Sequence, residues 1–544
     1  MDLDLVVTGG TLADGTGTPR FRADVGIHRG RIAAVASPGL LSAPTTIAAA
    51  GAVVAPGFID LHSHSDWVLP HPDHDTILEP LLAQGVTTIV AGNCGISPAP
   101  VTERSTRCLD HASEILRDAE LSYEWRTMGD WLDGLASKGV LLNTAMLVGH
   151  GTLRQAIMGD EPSEPGPERQ RLLREQTRQA LREGAYGMSA GLAYAPGVFA
   201  KNAELIDLTR VVAEEGGVFT VHGRAYSWVS PFYKPMLLGA PHNLKSVREL
   251  IGIARESRSR LQLSHQIFVG RRTWRTYPRV LREIDAAAAA GVDVAFDAFP
   301  YTVGNTTVNV LLPDWVLVDF RSRLRDRKVL ERLRREHFLF RHALGLEYRD
   351  ITLLWGGENP ELTALEGLDF EAIARNMGLS PFDAYVRVAL ESDGKARVLI
   401  GTYSGDGESE EPLRAVLSHP KCAFETDTIL TRRGKHNPAS FGTFPRVLGR
   451  YSRELGLFSL EEGIRRMTSL PAERIGLKEV GKIAPGHWAD LVVLDPQSIA
   501  DHTGPGRTEA APSGIRTVMI SGEVVMENGA RTAGARRGRV MRKS

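Results

Sequence analysis

Short apolar runs that each lead into a potential metal ligand or acid recur along the chain, and this recurrence constrains the fold most. Helical patterns lie between the runs, as over residues 168–183 and 280–290. Strands that alternate with helices pair in parallel, and the number of repeats over residues 57–477 favours an α/β fold, a (β/α)8 TIM barrel, over an open sheet. The runs and the residues that follow them are 87–91 with Cys94, 144–148 with His150, 218–221 with His222, 261–263 with His265, and 422–424 with Asp427.

The carboxyl ends of the strands in such a barrel all open onto one face, where active sites are built. The residues that follow the runs are therefore expected to lie close together. No Gly-x-Gly-x-x-Gly follows an early strand, which counts against a dinucleotide-binding sheet.

The first predicted barrel strand carries a His-x-His pair in the stretch Gly57-Phe58-Ile59-Asp60-Leu61-His62-Ser63-His64. Because side chains alternate along a strand, Asp60, His62 and His64 are expected to project to one side and to aim two imidazoles at one point. Taken alone, such a pair is as often an ordinary surface or hydrogen-bonded pair as a metal site. Its interpretation depends on further ligands.

Each further residue also has an ordinary structural explanation. Cys94 could be a buried small hydrophobe, and His222 and His265 could be hydrogen-bonded core histidines. Asp427 could cap a helix, and His150 could bond a loop. All of these would have to coincide at strand ends beside a His-x-His pair, which favours a shared metal site.

Both ends of the chain read as short β strands separated by glycine turns, and we predict that they build one small β-sandwich domain. The predicted bounds are 1–56 and 478–544 for this domain and 57–477 for the barrel. The arginine-rich stretch near 320–350 is predicted to be a helical insertion with a solvated face.

Composition excludes several partners. Across 544 residues the formal net charge is -1, which gives no electrostatic case for nucleic acid or an anionic membrane surface. The first residues are acidic where a signal peptide would be basic, and no apolar stretch approaches the length of a membrane span, so the cytoplasm is expected. The 3 cysteines are too few for a disulfide framework.

The chain resembles the metal-dependent amidohydrolase superfamily and, within it, the D-aminoacylase (N-acyl-D-amino-acid deacylase) family. The resemblance covers nearly the whole chain. His-x-His alone is unspecific, but it occurs here with Gly-Asn-Cys-Gly and Gly-Thr-Phe-Pro-Arg segments. The matching stretches are 55–64, 85–97, 148–154, 191–197, 441–449 and 486–492.

The resemblance implies that Cys94, His222 and His265 hold a tightly bound zinc ion. His62 and His64 would border a second metal site that is weaker or empty. Asp427 takes the position of the catalytic carboxylate, which would accept a proton from water and pass it to the leaving nitrogen. Zinc would polarise the carbonyl and lower the pKa of the attacking water. Thiolate and imidazole ligands agree with zinc.

The chain departs from the family in the expected substrate pocket. Members usually carry a lysine and an arginine that hold the substrate carboxylate, and Ile267 and Ala439 stand at those positions here. Each lost charge-assisted hydrogen bond is worth about 1.5–3 kcal/mol, so a free carboxylate would bind poorly unless Arg224, Arg271, Arg272 or Lys435 substitutes. The expected pocket residues are His150, Tyr194, Arg224, Ile267, Tyr301 and Ala439.

We therefore expect a zinc-dependent hydrolase that cleaves an amide C–N bond in a small molecule without the usual free carboxylate. A lactam, an ester or a carbamate would suit the same groups, and a genuine N-acyl-D-amino-acid deacylase stays open. The alternative from another class, a catalytically silent binding or scaffold protein, should have lost ligands, yet every expected ligand is present. Homo-oligomerisation is left open.

Overall fold

The computed structural model describes residues 2–234, 236, 239–317, 320–534 and 536–543. Met1 and Ser544, the first and last residues of the predicted sandwich domain, lie outside the described residues. At the centre, parallel strands form a barrel. They are β1 (Phe58–Asp60), β2 (Val86–Ala91), β3 (Asn143–Met146, continued at Val148–Gly149), β4 (Gly187–Gly191), β5 (Val218–His222), β6 (Arg260–Leu263), β7 (Val294–Ala298) and β8 (Cys422–Phe424).

The barrel closes just beyond β1 and β8, where Ser63 and Thr428 form a parallel bridge. Every residue of β2, β4 and β7 is buried, as expected for strands that are covered on both faces. The predicted (β/α)8 barrel is confirmed.

Helices pack around the barrel. The predicted helices at 168–183 and 280–290 are found at Pro167–Arg182 and Tyr277–Ala289. None of the helices in the described ranges is long and apolar enough to cross a membrane. The others outside the insertion are His74–Ile77, Glu79–Ala83, Thr106–Ser113, Met128–Lys138, His150–Met158, Asn202–Glu214, His242–Ser257, Arg271–Trp274, Glu411–Ser418, Ala439–Arg446, the π-helical Val447–Glu454, Leu460–Arg466 and Ser469–Ile475.

A subdomain with its own apolar core is inserted between β7 and β8. Its antiparallel sheet has Arg397–Gly401 between Val303–Thr307 and Ile351–Trp355. The predicted helical insertion at 320–350 is part of this larger unit, because the helix Arg327–Leu344 packs Leu333 and Leu344 into the same core. The remaining helices of the unit are Asp314–Leu317, Phe320–Arg323, Pro360–Thr363, Phe370–Met377 and Pro381–Glu391.

Both ends of the chain build a β-sandwich, as predicted. Val53–Pro56 pairs antiparallel with Leu491–Leu494, and residues of both sheets share one apolar core. One sheet contains Leu5–Thr8, Asp24–His28, Arg31–Ala36 and Thr45–Ala48; the other contains Thr11–Leu12, Phe21–Arg22, Val53–Pro56, Leu491–Leu494, Ile515–Ile520, Glu523–Glu527 and Ala530–Arg531. The last described residues leave the sandwich and return to the barrel, where Val540 bridges Thr144 of β3.

Candidate metal centre

Six potential ligands meet at the carboxyl face of the barrel. The side chains of His62, Cys94 and His265 are almost fully buried, while 17% of the Asp427 side chain is exposed. Their donor atoms form groups of three in which all atoms lie within 4.8 Å of one another. The groups are His62, His64 and Cys94; Cys94, His222 and His265; and His62, His265 and Asp427.

The His-x-His pair lies beyond the end of β1. The strand ends at Asp60, so strict strand alternation does not position the imidazoles. The backbone is instead held by barrel closure, since the His64 N–H donates to the Thr428 carbonyl at 3.0 Å and Ser63 bridges Thr428. The two histidines therefore converge on the site through contact with the segment that carries Asp427.

Cys94 lies in a tight turn after β2 that requires glycine on both sides. Gly92 and Gly95 have φ values of 79° and 78°. A β-carbon at Gly92 would lie 2.2 Å from the Leu147 carbonyl oxygen, and one at Gly95 would lie 2.6 Å from the Gly191 nitrogen. The Gly-Asn-Cys-Gly motif thus places the thiol where backbone from β3 and β4 leaves no room for side chains at the two glycines.

The spacing of three donors suits zinc. With bonds of about 2.3 Å to sulfur and about 2.0–2.1 Å to nitrogen, tetrahedral sulfur and nitrogen ligands lie about 3.6 Å apart. Cys94 Sγ lies 3.8 Å from His222 Nδ1 and 3.7 Å from His265 Nε2. The two imidazole nitrogens lie 2.9 Å apart, so they would separate slightly around an ion. The donor set therefore fits the expected zinc ion.

A second group of donors surrounds Asp427. Its Oδ1 lies 3.5 Å from His62 Nε2 and 3.5 Å from His64 Nε2. His62 Nε2 is also 3.3 Å from Cys94 Sγ, which is closer than either His222 or His265 comes to that sulfur. His62 thus lies between the thiolate and the carboxylate.

The protonation states suit metal binding and proton transfer. Burial raises the pKa of the Cys94 thiol, but His62, His222 and His265 outweigh it and hold this pKa well below its usual value. Burial lowers the pKa of His222 and favours a neutral imidazole. Burial also opposes ionisation of Asp427, but the His64 hydrogen bond and the charges of neighbouring histidines lower its pKa to about 2. Asp427 is therefore ionised at neutral pH, and the surroundings of Cys94 favour its thiolate form.

Asp297, at the end region of β7, supports the centre from behind. Its Oδ1 accepts a hydrogen bond from the His265 backbone at 2.6 Å and lies 3.8 Å from His62 Nδ1. Gln262 donates to its other oxygen at 2.7 Å. Asp297 was not among the expected site residues, although its position directly after the apolar run at 292–296 was a usable signal. Asp297 therefore fixes the backbone at His265 and faces the His62 ring, whose orientation a nearby carboxylate favours.

Two buried carboxyl groups lie beneath the ligands. Burial raises the pKa of Asp60 to about 7, although Thr426 donates to it through both its hydroxyl and its backbone N–H. Burial raises the pKa of Glu425 well above its usual value. Asp60 joins β1 to the segment after β8 and helps to place His62 and Asp427.

Two tyrosines bracket His222. The Tyr194 ring centroid lies 5.0 Å from that of His222, and its hydroxyl donates to the Cys94 carbonyl at 3.1 Å. The Tyr226 ring also lies 5.0 Å from His222, and its hydroxyl donates to the Ser264 carbonyl at 3.0 Å. Tyr194 was among the expected pocket residues, and Tyr226 was not.

Two other expected pocket residues have structural partners. His150 Nε2 lies 2.8 Å from Glu204, which also pairs with the buried Arg154. The Arg224 guanidinium donates to Glu249 at 3.0 Å and to the carbonyls of residues 198 and 200. Arg224 is therefore not free to meet a substrate carboxylate.

The remaining expected pocket residues join the barrel to the inserted subdomain. Ile267, Tyr301 and Ala439 are buried in the apolar cluster of that subdomain. The Tyr301 hydroxyl donates to Asp501 at 3.0 Å, so its polar end is already satisfied. Tyr403, in the same cluster, is close enough for the Asp427 charge to contribute to its raised pKa, after the larger effect of burial.

Comparison with known proteins identifies several relatives of this chain. A family model described as "Amidohydrolase family" matches residues 45–312 and 370–526. The N-acyl-D-glutamate deacylase of Alcaligenes xylosoxydans xylosoxydans is 33% identical over 96% of this chain and 93% of its own length. The D-aminoacylase of the same organism is 33% identical over 99% of this chain and 97% of its own length.

A solved structure shows the same similarity in three dimensions. The N-acyl-D-glutamate deacylase of Bordetella bronchiseptica, determined with zinc and a phosphonate that mimics the tetrahedral intermediate, has a TM-score of 0.82 and 32% sequence identity to this chain. The match covers 100% of both chains.

Proposed function

This chain belongs to the amidohydrolase family and, within it, to the D-aminoacylase family, and we propose that it hydrolyses the amide bond of a neutral N-acyl compound. The observation that carries the proposal is the meeting of Cys94, His222 and His265 with the ionised Asp427 at one barrel face. Three protein ligands with an open position are typical of a catalytic zinc site.

Cys94, His222 and His265 would hold zinc, and His62 and His64 would border a second, weaker divalent metal site. Bound zinc would supply Lewis-acid polarisation of the scissile carbonyl and activation of water. The protein's own contribution is to orient these groups and to move a proton. Asp297 faces the His62 ring and bonds to the backbone of His265, which supports a fixed position for both residues.

Asp427 is proposed as the proton carrier. Its Oδ1 faces His62 and His64, and its partial exposure leaves it accessible to a substrate above the barrel. The carboxylate accepts a proton from the attacking water, whose oxygen bonds to the carbonyl carbon. It then donates that proton to the nitrogen as the C–N bond breaks, which yields a carboxylic acid and an amine.

The surroundings of Ile267 and Ala439 support a substrate without a free carboxylate. Both side chains are buried in an apolar cluster, and neither can itself offer a charge to a carboxylate. Arg224 and Arg271 have carboxylate partners, Glu249 for the first and Asp350 for the second. Arg272 and Lys435 are exposed, so the sequence candidates for a replacement cation are paired or lie at the surface.

The relatives favour a second candidate. Proteins named D-aminoacylase and N-acyl-D-glutamate deacylase share a third of this sequence over nearly its full length, so a genuine N-acyl-D-amino-acid deacylase is the main alternative. Lactams, esters and carbamates suit the same groups.

The described cysteines are all free, which supports a reducing compartment such as the cytoplasm.

A matched pair of substrates separates the two candidates. N-acetyl-D-methionine and its neutral carboxamide have nearly the same size and differ in charge. With zinc-loaded protein we expect a higher kcat/KM for acetyl release from the carboxamide. A preference for the acid would support the D-aminoacylase candidate instead, and acetyl release from neither compound nor from other neutral amides would overturn the proposed activity.

A further inference from the structure

The turn that carries Cys94 adopts a conformation that its side chain does not favour. Cys94 itself has a φ of 54°, between two glycines that also have positive φ. A non-glycine residue adopts left-handed backbone only when the surroundings impose it. Some contact outside the turn must therefore hold it.

The side chain of Ser189 in β4 makes that contact, because it bonds to the backbone on both sides of Cys94. Its Oγ accepts a hydrogen bond from the Gly95 N–H at 2.9 Å and donates to the Gly92 carbonyl at 2.5 Å. The serine is completely buried, so no water replaces either bond. One hydroxyl thus closes the turn around the thiol.

The turn is also wedged against neighbouring strands. Its two glycines approach the backbone at Leu147 and at Gly191, and Tyr194 donates to the Cys94 carbonyl. These contacts restrict how the turn can relax, but among the described residues only the Ser189 side chain bonds to both Gly92 and Gly95. Loss of its hydroxyl would leave a buried N–H and a buried C=O unpaired.

We propose that Ser189 is a positioning residue, which sets metal affinity by holding the Cys94 thiolate in place. The inference rests on the proposed role of Cys94 as a metal ligand. Loss of a partner that orients a metal ligand typically lowers affinity by about 10- to 100-fold. In the described hydrogen bonds Ser189 does not contact the side chains of the other potential ligands, so its effect should act through Cys94.

The test is cobalt(II) binding to metal-free protein, followed by the thiolate-to-cobalt charge-transfer absorption. Ser189→Ala is expected to raise the cobalt Kd by about 10- to 100-fold and to shift or weaken this absorption. Ser257→Ala is the matched control, because it also removes a buried serine hydroxyl but lies in an outer helix. Unchanged Kd and absorption in Ser189→Ala would overturn the inference.

A double-mutant cycle separates this inference from the proposed metal site. In a Cys94→Ala background, Ser189→Ala should change the cobalt Kd little, because the residue through which it acts is gone. An equal loss in both backgrounds would show general damage and overturn the inference. If Cys94→Ala alone binds cobalt as the wild type does, the proposed role of Cys94 fails and the inference with it.

Tyr194→Phe provides a second route should Ser189→Ala not fold. It removes only the hydroxyl that donates to the Cys94 carbonyl. If the shape of the turn sets metal affinity, this variant should also raise the cobalt Kd. An unchanged Kd would contradict the claim that the turn around Cys94 sets metal affinity.

Discussion

Cys94 Sγ lies 3.3 Å from His62 Nε2, although the two residues are 32 positions apart. This contact links the group of Cys94, His222 and His265 to the group that surrounds Asp427. His62 therefore lies between the expected zinc site and the expected second metal site. A substrate carbonyl bound next to His62 would have potential metal ligands on one side and Asp427, the proposed proton carrier, on the other.

Asp427→Asn should retain metal but lower kcat by about 10²- to 10⁴-fold, because the amide cannot accept and return a proton. Steady-state kinetics and metal analysis of the same preparation measure both quantities. Asp495→Asn, just after the sandwich strand Leu491–Leu494, is the control and should keep the kcat and metal content of the wild type. Near-normal turnover in Asp427→Asn would contradict the proposed role.

Cys94→Ala should lower the metal content and have a smaller effect on the stability of the metal-free protein, because a thiolate ligand is lost from the expected zinc site. Metal analysis and thermal unfolding of the metal-free protein distinguish the two effects. Cys108→Ala removes a buried thiol in the outer helix Thr106–Ser113 and should keep full metal content. Full occupancy in Cys94→Ala would show that this cysteine is structural.

Ile267→Lys should improve hydrolysis of acidic substrates relative to neutral ones. A new charge-assisted hydrogen bond to a substrate carboxylate is worth about 1.5–3 kcal/mol, or roughly tenfold or more in relative kcat/KM. Leu339→Lys, at a side chain that is 65% exposed on the inserted subdomain, is the control. No change in the ratio for Ile267→Lys would place this residue outside the pocket.

Glu204→Gln should destabilise the fold by about 3–5 kcal/mol at neutral pH, because it leaves the buried Arg154 without its partner charge. Burial raises the pKa of Glu204, but His150 and Arg154 outweigh it and lower this pKa. The stabilisation is therefore fully present above the unfolded pKa of about 4.3 and is lost as the pH falls through the lower folded pKa.

Denaturant unfolding of wild type and Glu204→Gln at neutral and acidic pH checks this dependence. The difference between them should shrink as the pH falls below the folded pKa. Glu168→Gln, which breaks an exposed pair with Arg171, should leave stability nearly unchanged. A difference that grows towards acid would contradict the sign.

The barrel could be predicted because most of its strands are apolar runs that end in polar residues. Strand β4 was not predicted because Gly-Met-Ser-Ala-Gly has little β propensity. It is a strand for a tertiary reason: a β-carbon at Gly187 would lie 2.0 Å from the Val218 carbonyl oxygen, so only glycine permits the close pairing with β5. Ser189 went unnoticed for the same reason.

The convergence of the potential ligands could be predicted because histidine, cysteine and aspartate follow successive strands, whose carboxyl ends meet at one face of a barrel. The partners of His150 and Arg224 could not, since Glu204 and Glu249 lie 54 and 25 positions away on outer helices. Likewise, the extent of the inserted subdomain depends on a sheet whose strands are separated by long helical stretches. These contacts arise from tertiary packing.

The central claim is that this barrel face is a metal-dependent centre for amide hydrolysis. Its most direct test is the rate of acetyl release from N-acetyl-D-methioninamide, measured with purified protein, after chelator treatment and after zinc is restored. We predict that activity is lost with the metal and returns with zinc. Undiminished activity in protein shown by metal analysis to be free of zinc, cobalt and manganese would contradict the claim.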